Sequence, residues 1–111
     1  MLILICGQSR AGKTTYSQRF ENVVHLDTSG AYRGVLRRVS GMEDVVVEGV
    51  YHRARDRRSL VEACGGHKKC IWLDTPKEVR ATRPGYSEKG CNPPFEPPTY
   101  DEGWDEIEVI R

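Results

Sequence analysis

The stretch LILICGQSRAGKTT, residues 2–15, constrains the fold of this chain more than any other. Leu2 to Ile5 form an apolar run that reads as a short buried strand, and the residues after it place Gly7, Gly12, Lys13 and Thr14 in the order Gly, four residues, Gly, Lys, Ser or Thr. Each position has a physical task. Glycines let the backbone turn sharply and present its N–H groups to phosphate oxygens, and the start of the next helix adds the positive end of its dipole. Lys13 can then reach the outer phosphates, and Thr14 offers a hydroxyl to Mg²⁺, an ion that keeps most of its waters. The spacing predicts a helix over residues 14–20, which completes the strand, loop, helix order that phosphate binding of this kind needs.

At 111 residues the chain is expected to be one domain with a small core. No run approaches the roughly 20 apolar residues of a membrane span, and residues 1–5 lack the basic start and cleavage site of a signal sequence, so the expected location is cytoplasmic, with no membrane partner. Cys6, Cys64, Cys70 and Cys91 are too few and too unevenly placed for a disulfide framework. Zinc ligation by Cys64, His67 and Cys70 of CGGHKKC, with Cys91, matches no common spacing well; the plainer reading has Cys64 ending a helix, Gly65 and Gly66 terminating it and Cys70 beginning a strand.

Apolar runs at residues 2–5, 23–26, 45–47, 70–73 and 107–110 read as five strands, with helices between most of them over 30–39, 56–63 and from Pro76 to about residue 82. Strands separated by crossover helices pair in parallel, so the expected fold is α/β and doubly wound, a five-stranded parallel sheet flanked by helices. In such a sheet ligands bind beyond the carboxyl ends of the strands, which aims Gly7, Asp27, Glu48 and Asp74 at one crevice. Residues 84–106 hold five of the six prolines and no helical or strand period, and are expected to be an extended loop wrapping to the last strand.

Charge is distributed unevenly, with 15 of the 17 Lys and Arg but only 9 of the 16 acids in residues 1–83. Arg33, Arg37 and Arg38, then Arg53, Arg55, Arg57 and Arg58, either face water from helices or make a surface attractive to a polyanion.

The segment DVVVEGVYHRARDRRSLVEACGGHKKCIWLDTPKEVRATR, residues 44–83, together with GQSRAGKTT before it and FEPPTYDEGWDEIEVI after it, resembles the phosphate-loop kinases of the polynucleotide 5′-hydroxyl kinase type. The similarity runs over nearly the entire chain in the same order. It implies transfer of the γ-phosphate of ATP, or another nucleoside triphosphate, with Mg²⁺, to the 5′-hydroxyl of DNA or RNA. Carried over by position, it implies that Gly7, Gln8, Ser9, Arg10, Ala11, Gly12, Lys13, Thr14 and Thr15 bind the nucleotide phosphates, with Thr14 on the metal. Asp27 then accepts the proton of the incoming hydroxyl, Arg33 grips an acceptor phosphate, Glu48 stands near the acceptor or the metal's water shell, and Arg83 is the first arginine of the lid. Two departures stand out. Arg33 lies further from Asp27 than the family's usual D-x-x-R, and Pro84 and Ser87 replace the Asn and second arginine of the lid, leaving Arg80, Arg83 or Lys89 to supply that charge, or a second copy of the chain to complete it.

Each candidate has a plainer role beside this one. Asp27 suits a helix N-cap ahead of AYRGVL, Glu48 a solvated strand end and Arg83 the negative end of a helix. Tyr100 and Trp104 flank the acidic loop that lies beside the nucleoside in the family, so either could touch adenine; Trp104 also suits core packing. A kinase for a small alcohol, and a nucleotide-binding module without efficient transfer, remain alternatives to the polynucleotide kinase.

Overall fold

The structure, a computed structural model, describes residues 1–8, 10–21, 23–27, 32–39, 41, 44–84, 86 and 94–111, with the backbone alone at 27, 32 and 33. Along the chain run β1 (Leu2–Cys6), α1 (Lys13–Ser17), β2 (Val24–Asp27), α2 (Tyr32–Val39), β3 (Val45–Gly49), α3 (Ala54–Ala63), β4 (Lys68–Leu73), α4 (Lys77–Arg80), a 3₁₀ turn at Tyr100–Glu102 and β5 (Glu106–Ile110). The strands form one all-parallel sheet in the order β2-β3-β1-β4-β5. Each strand appears where an apolar run predicts it. No helix among the described residues is long and apolar enough to cross a membrane.

β1 is the central strand, with Leu4 in register with Val47 on one side and Cys70 on the other, and all of its residues are buried. A strand covered on both faces must be apolar throughout, which is why LILIC shows no alternation. On one face Leu2, Leu4, Cys6, Val45 and Val47 pack against Val35 and Val39 of α2 and Leu60 and Val61 of α3. On the other, Ile3, Ile5, Val46 and Ile71 meet Ala11, Tyr16 and Phe20.

Several helix boundaries differ from the sequence expectation, among them the end of α4, at Arg80 rather than about residue 82. α1 ends at Ser17 rather than residue 20: the Ser17 hydroxyl donates back to the Thr14 carbonyl, and Arg19 and Phe20 bond three residues back, to Tyr16 and Ser17, so the chain tightens as it leaves the helix. α3 starts two residues early, because the Glu96 carboxylate accepts from the Ala54 N–H at 3.1 Å.

The β4 to β5 connection opens with the single turn of α4, and its described end, residues 94–105, forms a strap that enters β5 at the amino end of the sheet; residues 85 and 87–93 lie outside the described part. Residues 94–99 run down the α3 face, Phe95 stacks on Trp72 with ring centroids 5.1 Å apart, and Glu96 N–H donates to the His52 carbonyl at 2.8 Å. The extended loop expected up to 106 contains one short turn near its end, where Thr99 and Glu102 close a capping box around the 3₁₀ turn.

What fastens the strap is Arg57, which the sequence reading counted with a basic surface. Its side chain is fully buried. Nε donates to Glu102 Oε1 at 2.7 Å, Nη2 to Glu102 Oε2 at 3.0 Å and to the Glu96 carbonyl at 2.8 Å, and Nη1 to the Tyr51 carbonyl at 2.6 Å. Trp104 Nε1 adds a bond to Glu102 Oε1 at 3.0 Å. Burial pushes the Glu102 pKa up, but the bonds from Arg57, Trp104 and the Thr99 amide outweigh it, and the carboxyl is held below its ordinary 4.5. Burial likewise lowers that of Arg57, and the bonds and charge of Glu102 more than reverse it. Removing one member strands a charge in the core.

Arg57→Met is therefore expected to destabilise the fold by about 3–5 kcal/mol in urea unfolding, and Arg57→Met with Glu102→Met by much less. Because the folded pKa of Glu102 is depressed, its contribution is complete above about pH 4.5 and declines as pH falls below that; an acid unfolding series on wild type and double variant should show a steeper loss in wild type.

Candidate functional site

The loop after β1 emerges at the carboxyl end of the central strand. Gly7 donates to the Val50 carbonyl at 3.3 Å, and a Cβ added to it would stand 2.8 Å from the Leu73 carbonyl oxygen and 3.1 Å from Ala11 Cβ, so the backbone threads a gap only glycine fits. Arg10 has φ 61°, and Gly12, at φ 101°, turns the chain into α1. Ala11 N–H bonds to the Gln8 carbonyl at 3.1 Å. The loop carbonyls are held from outside: Thr75 donates to Ala11 at 2.9 Å and Arg83 Nη1 to Arg10. Lys13 Nζ donates to the carbonyls of Gly7 and Gln8, both at 2.9 Å, which brings the ammonium across the mouth of the loop. Arg83 lies against Gly12, within 3.5 Å of where a Cβ would be.

Thr14 donates from its hydroxyl to Glu48 Oε1 at 3.2 Å, linking the first turn of α1 to the end of β3. Glu48 Oε2 is buried and has no hydrogen-bond partner among the described residues. A lone buried acceptor beside a threonine hydroxyl calls for a donor or a cation. Asp27 is in register with Glu48 on the neighbouring strand, so the backbone carries both acids to the same level; the Asp27 side chain lies outside the described part. Arg33 is in the first turn of α2, its side chain also outside, and Ser9 is not among the described residues. Asp74 follows β4 at the same end of the sheet, but its carboxylate accepts from Arg111 Nε at 3.1 Å. A cleft of about 1140 Å³ opens beside the loop, lined by Lys13, Thr14, Tyr16, Val79, Arg83 and Ile110 among others.

The turn behind the loop carries strain. Tyr51 is buried with φ 44°, a left-handed conformation that costs a side-chain-bearing residue roughly 1–3 kcal/mol and persists only where its surroundings enforce it. Its neighbour Val50 is the residue whose carbonyl receives Gly7. Neither Tyr51 nor Thr75 stands out in the sequence, because the first is defined by a backbone angle and the second by a contact between distant segments.

Several sequence-level candidates fall elsewhere. Trp104 is buried in the core against the α2–α3 face and sits just ahead of β5, where Asp105 N–H bonds the Lys68 carbonyl at the start of β4. That is the amino end of the sheet, opposite the loop, so core packing is its role and contact with adenine is not. Tyr100, 62% exposed, belongs to the 3₁₀ turn that precedes Trp104. The basic stretches are divided: Arg37 and Arg38 occupy the last turn of α2, at the amino end, while exposed Arg53 and Arg55 open α3 at the carboxyl end, and Arg57 is buried. Cys70 points its thiol at Cys6, Sγ to Sγ 3.7 Å, and His67 bonds Glu106 at 2.8 Å, while Cys91 lies outside the described residues. Among the described residues no group of three or more His, Cys, Asp or Glu is placed to hold a metal ion. Burial raises the Cys64 pKa; for Cys70 the bond to Cys6 and burial both push it up, so these thiols stay protonated.

No family model matches the chain, and a search of the curated proteins gives no match.

The loop geometry is testable by glycine replacement. Gly7→Ala is expected to lower stability by about 1–3 kcal/mol because the Leu73 carbonyl must yield, whereas Gly34→Ala, exposed within α2 with nothing inside 4 Å, should raise it by about 0.5–1 kcal/mol. Thermal melts of the two variants should move in opposite directions.

Proposed function

We propose that this chain binds ATP with Mg²⁺ in the loop after β1 and transfers the γ-phosphoryl group to an alcohol, the acceptor being the 5′-hydroxyl of DNA or RNA. The observation that carries the reading is the conjunction at the end of β1: a glycine-shaped loop with Lys13 across its mouth, beside a Thr14–Glu48 pair that has a carboxylate oxygen to spare. A phosphate cradle, a lysine and a hydroxyl next to a carboxylate are the parts such transfer requires. The donor set also fits the metal. Mg²⁺ takes few protein ligands and draws the rest from water and phosphate, so Thr14, with Glu48 behind it, suffices to hold it, and the bound ion supplies neutralising charge between the phosphates.

Each residue then has a defined task. Lys13 exchanges its two carbonyl partners for phosphate oxygens, and the loop amides fix the β- and γ-phosphates. Asp27 takes the proton from the acceptor hydroxyl as its oxygen bonds to the γ-phosphorus and the bond to the leaving ADP breaks. Arg83, already against Gly12, offers a guanidinium to the transferring group, and Glu48 orders the acceptor side. Arg33, with Arg53 and Arg55 at the same end of the sheet, supplies positive charge for a polynucleotide backbone. An enzyme of this kind works in the cytoplasm, where ATP is plentiful and thiols stay reduced.

The division of the basic residues favours a second reading, a kinase for a small alcohol, since Arg37 and Arg38 stand at the far end and Arg57 is buried.

Labelled γ-phosphate from ATP, offered to 5′-hydroxyl oligonucleotides beside nucleosides and nucleotides, separates the readings. Label is expected on the oligonucleotide end, falling about 10²–10³-fold in Lys13→Ala and about 10²–10⁴-fold in Asp27→Ala. Label only on a small acceptor selects the second reading. ATP binding without any labelled product would overturn both and leave a binding module.

A further inference from the structure

The phosphate loop and the buried Arg57 lie on opposite sides of one short turn. That turn runs from Glu48, which receives Thr14, through Val50, whose carbonyl receives the Gly7 N–H, to Tyr51, whose carbonyl receives Arg57 Nη1 at 2.6 Å. Tyr51 is held at φ 44°, and a buried residue in that conformation stays there only if its neighbours oppose relaxation. One group that meets it there is the Arg57 guanidinium, which donates to its carbonyl and is itself fixed by both oxygens of Glu102 and by the Glu96 carbonyl on the strap. The Cζ also lies 5.5 Å over the Phe95 ring, so the fork has little freedom to follow a moving carbonyl. Loss of this bond removes one constraint on the strained Tyr51 turn, and with it one constraint on the adjoining Val50 carbonyl that receives Gly7.

We propose that Arg57 is a positioning residue for the phosphate loop: anchored on the strap through Glu102, it holds the strained Tyr51 turn so that Val50 fixes Gly7 and Glu48 stays beside Thr14. The consequence for nucleotide binding rests on the function proposed above; the effect on the loop itself does not. Arg57 touches neither nucleotide nor acceptor and acts through backbone. The strap thereby sets the geometry of a site on the other face of the sheet.

The test compares the Arg57→Met/Glu102→Met pair, which removes the clamp without leaving a lone charge, with Val61→Ala, a core truncation at the far end of α3, where Gly103 packs on Val61. Arg57→Lys serves as a second variant if the pair folds poorly, since one ammonium can reach the Tyr51 carbonyl or the strap but cannot reproduce the fork. Two readouts are taken on each: amide hydrogen exchange at Gly7, and the affinity for ATP with Mg²⁺. Exchange at Gly7 is expected to quicken about tenfold in the clamp variants relative to Val61→Ala, with ATP affinity weakened by a similar factor, the size of a coupling passed through packed neighbours. Gly7 protection equal to that in the Val61→Ala control would overturn the proposal, as would faster exchange with unchanged ATP affinity. Faster exchange in a protein that binds no ATP even as wild type would uphold the positioning of the loop and overturn the nucleotide reading instead.

Discussion

The bond between Arg57 and Glu102 is the interaction on which the rest of this small fold leans. A parallel strand needs a crossover, and most crossovers bury the apolar stripe of a helix against the sheet. Between β4 and β5 the described residues hold the single turn of α4 and a strap with a 3₁₀ turn, whose Phe95 and Trp104 pack on the core. A charge pair with hydrogen bonds in four directions fastens this strap. Its arginine comes from α3 and its acid from the 3₁₀ turn, so it joins the strap to the helix in front of β3 and β1. Such a pair is stable because every donor that points inward has an acceptor; desolvation is offset only under that condition.

The site sits where the same connections converge. β1 ends at a loop whose first glycine lies against the end of β4 through the Leu73 carbonyl and against the end of β3 through Val50. The loop is therefore shaped by the ends of three strands together with its own glycines. Arg83 and Thr75, both beyond β4, brace its carbonyls, so the segment that follows the fourth strand closes around the loop from the side of the cleft. The acids gather on the other side, with Glu48 and Asp27 at one level on adjacent strands. Lys13 and Arg83 thus line the cleft, while the Glu48 carboxylate stands at the end of β3 beside Thr14.

The sequence pattern was most legible where one physical requirement dominated. The runs of β1 and β3 became strands because a strand buried on both faces has little place for a polar side chain, the edge strands β2 and β5 followed their apolar residues although they are largely exposed, and Gly7 stands where close backbone approach admits nothing larger. It was least legible for charge. Arg57 reads as one of four arginines in HRARDRR, and only its distance from Glu102 along the chain, 45 residues, hides that it belongs to the core. The quoted DEGWDE and RDRR segments held that information as a pairing, which no local property of either could reveal. Trp104 was ambiguous for the same reason: an aromatic beside acids serves a ligand or a core depending on which end of the sheet it reaches.

What the amino-acid sequence determined by itself is the class of fold, the order of its elements and the place of the glycine-bearing loop after β1, since these follow from local rules of burial period, turn formation and backbone reach. The tertiary structure decided the partners. That Glu48 meets Thr14, that Arg83 lies on the loop, that Arg57 is an internal clamp and that Arg37 and Arg38 stand at the opposite end of the sheet from Arg53 and Arg55 all depend on crossovers returning distant segments to one edge or end of the sheet. Contacts of that kind are set by strand order and register, and these arise from the packing of the whole chain.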